Sequence, residues 1–323
     1  MKNKLVILFT LYLAVFLNHF GYFITIPVLV RLISDPHYAL ISHNMAGQFG
    51  DYLFSIVLGA GSLAAIIFAP ILGRLSDQIG RKKVLILCAC LMLVSFVLPV
   101  TAIATNSMML FLLGNTINGI SSNNQPIAQA AISDISQNKH KKAIRFSIDT
   151  IVICTAMVVG PSFGGILSDS HLVSFFNITT PFIAAGCLSF LALLLIIFAL
   201  PETNPHAKQR TQVSYYNSIG AFMDAFKLSP SLTRCLLVFL LAQTSWAEFF
   251  QYYYLYLTTQ FHFSTAELST YSTLVGLSLI FGLAVIYPWL IRQVSLRQSI
   301  TISLLISVFG SLIIGFVHTA EAM

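Results

Sequence analysis

With 323 residues, of which 57% are hydrophobic and only 9% charged, the chain carries too few polar side chains to cover a surface in water, where an ordinary soluble domain is about 25% charged. Its mean hydropathy of +0.84 points to the bilayer as its solvent and excludes soluble enzymes, disulfide scaffolds and disordered chains. The formal net charge of +6 reflects topology: cationic loops are held on the cytoplasmic side and meet lipid headgroups, so no nucleic-acid partner is implied.

Apolar runs of about 20 residues, the length that crosses a bilayer, predict nine spans: 5–30, 51–72, 84–104, 108–132, 146–167, 180–200, 233–257, 269–291 and 299–317. The first follows Lys2 and Lys4, is too long for a signal-peptide core and lacks a small-residue cleavage site, so it reads as an uncleaved helix. Placing the N-terminus inside puts sixteen of the seventeen Lys and Arg residues in cytoplasmic segments and only Arg31 outside. Within span one, Asn18, Tyr22 and Thr25 form a short polar face beside the titratable His19. Asp51 opens span two as a helix N-cap at the outer surface.

Between spans two and three the sequence runs Gly73-Arg74-Leu75-Ser76-Asp77-Gln78-Ile79-Gly80-Arg81-Lys82-Lys83-Val84-Leu85. Gly73 lets a helix end approach a neighbour, Gly80 permits the positive φ of a tight reversal, and Asp77 can cap a helix or pair with the basic cluster after it. The pattern resembles G-x-L-x-D-x-x-G-R-K, the loop signature of the major facilitator superfamily, and Gly73, Leu75, Asp77, Gly80, Arg81, Lys82 and Leu85 match it. The resemblance implies an all-α membrane protein: a six-helix N-terminal bundle and a second bundle around a central cavity. In the family, the acid matching Asp77 contributes to a cytoplasmic gate with helix eleven of the second bundle, a helix this chain does not reach.

Span four carries Asn115, Asn118, Ser122, Gln125 and Gln129, spaced 3, 4, 3 and 4 residues apart and so on one helical face. An amide stripe is costly against lipid, so this one faces a cavity or bonds a neighbouring helix. The family lines its cavity mainly with helices one, four, seven and ten, which makes Asn18, Tyr22 and the stripe a substrate pathway by resemblance. Asn115 stands where proton-coupled drug antiporters commonly carry an arginine, and Asn18 where many carry an acid. Asp134 with Lys141 looks like the family's short cytoplasmic loop after helix four.

Span five contains Gly160-Pro161-Ser162-Phe163-Gly164-Gly165, which resembles the G-P-x-x-G-G motif of the superfamily's antiporter branch, with Ala156 at its upstream glycine position. Pro161 removes a backbone hydrogen bond and kinks the helix, while Gly160, Gly164 and Gly165 admit close packing. The same letters spell G-x-S-x-G, the nucleophile elbow of hydrolases, but that motif needs a strand, a turn and a helix, so no enzyme is expected. Asp149, one turn past Arg145, is a candidate proton carrier or simply its i, i+4 partner.

After Leu200-Pro201-Glu202-Thr203, which resembles the family's ending of helix six, residues 201–231 form a cytoplasmic linker that joins a six-helix unit, 1–200, to a partial unit of three helices, 232–323. Its Tyr215 to Leu228 part suits a surface amphipathic helix. Span seven adds Gln243, Trp246, Glu248 and a tyrosine-rich run, an aromatic belt at the outer interface or part of the pathway. Acids inside spans are rare and functional by default, which makes Glu248, Asp149 and His19 the proton-coupling candidates. The loop after span eight, from Pro288 to Arg297, falls where a second copy of the loop motif would lie.

Cys88, Cys90, Cys154, Cys187 and Cys235 sit in apolar runs without metal-ligand spacing, and no phosphate-binding glycine loop occurs; metal, cofactor and ATP-driven chemistry find no support. The expected function is proton-coupled export of a small amphipathic molecule across the inner membrane by a tetracycline- or multidrug-exporter-like protein. Import of a sugar or amino acid, a shortened relative without transport, and self-association to complete the second bundle are the alternatives.

Overall fold

A computed structural model describes residues 4–34, 43–136, 139–170, 172–204, 229–261, 263, 265–286, 289–290 and 293–316. The described chain is helical and contains no strand: α1 (Lys4–Ser34), α2 (His43–Ile79), α3 (Arg81–Thr105), α4 (Met108–Ser121), α5 (Asn124–Asp134), α6 (Lys139–Leu167), α7 (Thr180–Ala199), α8 (Pro230–Phe261), α9 (Thr265–Phe281) and α10 (Leu296–Phe316). A π-helical turn, Gly282–Ile286, continues α9. Helices satisfy every backbone group internally, the condition for crossing hydrocarbon. Among the described residues, Lys4–Leu29, Ser55–Ile79, Arg81–Thr105, Ile144–Leu167 and Thr180–Ala199 are long and apolar enough to cross a membrane.

Three sequence expectations change. Span four is two helices, α4 and α5, separated by Ser122 and Asn123. The cause is Pro126: lacking an N–H, it leaves the Ser122 carbonyl without its i+4 donor, and Gln125 N–H supplies a tighter i+3 bond at 3.5 Å instead. The backbone stays right-handed through the break, with φ −60° at Ser122 and −67° at Asn123. Asp51 is not an N-cap, because α2 already begins at His43. The loop between spans two and three shrinks to Gly80 alone, which separates α2 from α3.

In the bundle α1 packs along α6 and α7, α3 along α4 and α7, α2 along α4, and α9 along α6. Small residues set these approaches. A Cβ on Gly21 would touch Ala185 of α7 at 3.3 Å, one on Gly114 would press on Pro99 of α3 at 3.0 Å, and one on Gly276 of α9 would strike Val158 of α6. Between membrane helices, lipid tails are as apolar as leucine, so close van der Waals fit replaces hydrophobic burial as the cohesive term.

Two apolar layers form. One gathers Leu11, Val15, Leu72, Val84, Leu85, Ile127, Ile132 and Ile196 towards the ends of α1, α2 and α3 that meet the basic loops. The other gathers Val28, Leu32, Val57, Phe96, Phe111, Phe182, Leu257 and Leu268. Between them α1 turns the polar residues Asn18, His19 and Tyr22 inward.

Candidate functional site

That polar zone is a cavity of about 300 Å³ between α1, α2, α3, α4 and α5. Its walls include Asn18, His19, Tyr22, Ser62, Asn115, Asn118, Ser122, Asn124 and Gln125, with Phe23, Leu58 and Met92 as apolar surface. Among the described residues no acid, lysine or arginine lines it. The structure thus brings Asn18, Tyr22 and four of the five stripe residues of span four into one cavity, and leaves Gln129 outside it.

The stripe residues also bond neighbouring elements, so the two readings of the stripe combine. Asn115 Nδ2 donates to the Val57 carbonyl of α2. Asn118 Nδ2 donates to Ser95 Oγ at 3.1 Å and contacts Met92 Sδ at 3.4 Å, both on α3. Ser122 Oγ turns back to the Gly119 carbonyl at 2.7 Å. On the opposite edge Asn123 Nδ2 reaches the Ala65 carbonyl at 3.2 Å. A seam with a four-residue period results: Asn115 meets Val57, Gly119 meets Gly61 and Asn123 meets Ala65. At its centre a Cβ on Gly119 would run into the Gly61 backbone.

Two cavity residues hold buried polar atoms without a partner among the described residues. Asn18 is 3% exposed with Oδ1 unpaired, and Asn124 is 4% exposed with both Oδ1 and Nδ2 unpaired. Unsatisfied amides in a dry bundle are costly, and the cavity gives a ligand or water room to satisfy them. The sequence reading missed Asn124, which lies one residue off the 3–4 spacing it followed and reaches the cavity wall beside the break.

On the α6 side, Asp149 is fully buried and does not pair with Arg145 as its spacing suggested. Asp149 Oδ2 accepts from Gln129 Nε2 at 3.0 Å, while the Arg145 guanidinium donates to the Ile135 carbonyl at 3.2 Å and Ser136 Oγ at 2.8 Å. Carbonyls left free at the end of α5 compete for the guanidinium. Across from Asp149, His19 Nδ1 lies 2.9 Å from the Val15 carbonyl. A carbonyl only accepts, so Nδ1 carries hydrogen and Nε2 is left as the proton acceptor.

At the basic end, Arg81 gathers three partners: Asp77 Oδ1 at 2.6 Å, Asp134 Oδ2 at 3.1 Å and Ser76 Oγ at 2.6 Å. Lys82 Nζ donates to the Ile197 carbonyl at 2.7 Å, capping the end of α7. Gly80 takes φ +108°, and a Cβ there would collide with the Glu202 carboxylate. That carboxylate accepts from the N–H groups of Arg81 and Lys82 at 2.8 and 3.2 Å, at the positive end of α3. Glu202 belongs to this clasp although the sequence reading placed it only at a helix end. Gly73, expected to admit a close neighbour, faces open space.

In the helix-five motif, Gly160 and Gly164 let α1 lie against α6, since Cβ atoms there would strike Phe23 and the Ile24 carbonyl. Pro161 sits inside a helix that runs unbroken, with Gly165 half-buried beside it. The Ser162 hydroxyl shares a hydrogen bond with Thr273 Oγ1 of α9 at 2.5 Å; it sits in mid-helix, without the strand-to-helix turn of an elbow. The side chains of Gln243, Trp246 and Glu248, the segment 205–228 and residues 288, 291 and 292 of the second loop copy lie outside the described residues.

A family model described as Major Facilitator Superfamily matches residues 11–323. The chain is 26% identical over 325 residues to the class H tetracycline resistance protein of Pasteurella multocida, covering 98% of this chain and 74% of that one. It is 29% identical to the class E tetracycline resistance protein of Escherichia coli, covering 71% and 52%. The quinolone resistance protein NorA of Staphylococcus aureus is 30% identical, covering 60% and 45%. The chain therefore spans about half the length of the last two relatives. Among solved structures, the human organic anion transporter MFSD10 superposes with a TM-score of 0.75 at 18% identity, covering 100% of this chain and 81% of that one. A D-xylose-proton symporter superposes at 0.60 and 15% identity, covering 86% and 66%.

Proposed function

The chain belongs to the Major Facilitator Superfamily, and we propose that it acts as a secondary transporter of the inner membrane, exporting a small amphipathic organic molecule by alternating access in exchange for protons. Membership makes it a multi-pass membrane protein of a transporter family rather than an enzyme. The observation that carries the proposal is the cavity between two apolar layers, with the unpaired amides of Asn18 and Asn124 on its wall. Neutral amides beside Tyr22, Phe23 and Met92 suit a ligand with hydrogen-bonding groups on an apolar body. The tetracycline and quinolone resistance relatives support a drug-like cargo.

In this reading the N-terminal unit, residues 1–200, and the unit after residue 231 rock against each other, and the chain lies with its N-terminus inside. The Arg81 clasp ties α2, α3 and α5 together at the cytoplasmic face, and Asp77 acts there as a gate residue. Protons use Glu248, Asp149 or His19.

The test is accumulation of radiolabelled tetracycline in cells expressing residues 1–323. Accumulation below that of empty-vector cells, restored by a protonophore and by Asn18→Leu, is the expected result. Equal accumulation in expressing and empty cells, repeated with a quinolone, removes the drug-export reading.

A further inference from the structure

We propose that Asn18 and Asn124 form a clamp on the floor of the cavity that takes a primary carboxamide group. The clamp's place in a cargo path rests on the transport reading above; the binding of a carboxamide does not.

Below the main cavity lies a second void of about 10 Å³, set in the apolar layer near the basic loops and walled by Leu11, Ala14, Val15, Leu85, Ala128 and Ile196 together with Asn18 and Asn124. Among the described residues, only Asn18 and Asn124 line both spaces. The partition between them is therefore a pair of amides, one from α1 and one from α5.

These two amides hold the free hydrogen-bonding capacity of the floor. Asn18 is 3% and Asn124 4% exposed, and Asn18 Oδ1, Asn124 Oδ1 and Asn124 Nδ2 have no partner among the described residues. Their neighbours on the wall spend their donors on the helices: Asn115 on the Val57 carbonyl, Asn118 on Ser95 and Ser122 on the Gly119 carbonyl. The torsion that turns an asparagine amide is broad, so both groups can present these atoms to the larger space.

The unpaired set is one donor and two acceptors. Asn124 offers an acceptor and a donor side by side on one planar group, a fork matched by a ligand that carries a donor and an acceptor on one edge. A primary carboxamide has that edge. Its carbonyl accepts from Asn124 Nδ2, one N–H donates to Asn124 Oδ1, and the second N–H is left for Asn18 Oδ1. A carboxylate has no hydrogen to give, an amidinium cannot accept, and a trans secondary amide carries its N–H and C=O on opposite edges, so each leaves a buried group unpaired. Phe23 and Met92 supply apolar surface for the rest of the ligand. The rival occupant is one water in the small void, whose 10 Å³ is about a single molecule's worth. Such a water leaves the cavity indifferent to how an amide is substituted.

Equilibrium binding of tritiated 2-naphthamide to the detergent-purified chain, residues 1–323, with N-methyl- and N,N-dimethyl-2-naphthamide as competitors, tests the clamp. We expect both methylated amides to bind at least about tenfold more weakly, the scale of a lost buried hydrogen bond. Asn124→Leu should weaken the primary amide by a similar factor and erase the ranking. Asn124→Asp exchanges the donor for a second acceptor and should turn the preference towards 2-naphthamidine, whose paired N–H groups match two oxygens; only a folded site gives that reversal. Three amides bound alike, a primary amide not bound, a ranking that survives Asn124→Leu, or no reversal in Asn124→Asp each overturns the clamp. The assay involves neither cells nor a gradient, so a negative result here leaves the export reading intact, and a negative accumulation assay leaves the clamp intact.

Discussion

The backbone N–H of Arg81 donates to Glu202 Oε1 at 2.8 Å, joining the first residue of α3 to a side chain 121 positions later, just past α7. One carboxylate there also accepts from Lys82, Thr203 and Asn204, closing off the start of one helix and the exit from another. Removing it by Glu202→Ala is expected to cost about 1 kcal/mol, the usual loss for a helix cap, while Glu202→Gln, which keeps an acceptor oxygen, loses less. The unfolding midpoint of the detergent-purified protein measures both, and equal midpoints for wild type and alanine variant would show the cap to be idle.

Gly80 is the counterpart of that cap. Its φ of +108° is open to glycine and closed to other residues, and any Cβ meets the Glu202 carboxylate. Gly80→Ala is expected to destabilise by about 1–3 kcal/mol through backbone strain. Combined with Glu202→Ala, the clash disappears and only the strain is left, so the double variant should lose less than the sum of the two singles.

The seam between α2 and α4 makes a sharper contrast. Gly119→Ala drives a methyl into the Gly61 backbone, and overpacking of this kind costs about 1–3 kcal/mol. Gly59→Ala, two residues from Gly61 on the same helix, meets nothing within 4 Å and should leave the midpoint unchanged or raise it slightly. A thermal scan of the two variants side by side checks the pair of outcomes.

Asn124 separates packing from binding. A buried amide with both polar atoms unpaired weakens a fold, so Asn124→Leu should raise the stability of the empty protein by about 1 kcal/mol. The same change should abolish efflux if the amide contacts cargo. Efflux retained at the wild-type rate would assign Asn124 no part in the pathway.

Arg81 holds two acids and a hydroxyl at once, each on a different nitrogen of its planar fork, a spread of donors that the single nitrogen of an ammonium lacks. Arg81→Lys is expected to lose about 1 kcal/mol, discounted because Asp77 is 41% exposed. That loss should shrink when salt is raised to about 0.5 M, and the midpoint difference at the two ionic strengths is the check.

Much of this was legible from residue spacing. The 3–4 rhythm from Asn115 to Gln125 put four side chains on the wall of one cavity, because helical periodicity is a local property. Pro126 was equally visible, and its missing N–H accounts for the break beside Asn124, yet hydropathy averages over a single proline and span four read as one helix. Glu202 could not be found this way: its partners are fixed by how α3 packs on α7, which no local pattern encodes. Asp149 failed for the opposite reason. Its i, i+4 neighbour Arg145 was in reach, but carbonyls at the end of α5 claimed the guanidinium first.

The seam of Asn115, Gly119 and Asn123 against Val57, Gly61 and Ala65 has a mechanical meaning. Two helices stitched every fourth residue, with backbone against backbone in the middle, can neither slide nor spread without losing every stitch together. They form a stiff plank along one side of the cavity. On the other side of the cavity α1 meets α2 more sparsely and lies instead against Gly160 and Gly164 of α6, so the chamber has one wall sewn to its neighbour and one that leans elsewhere.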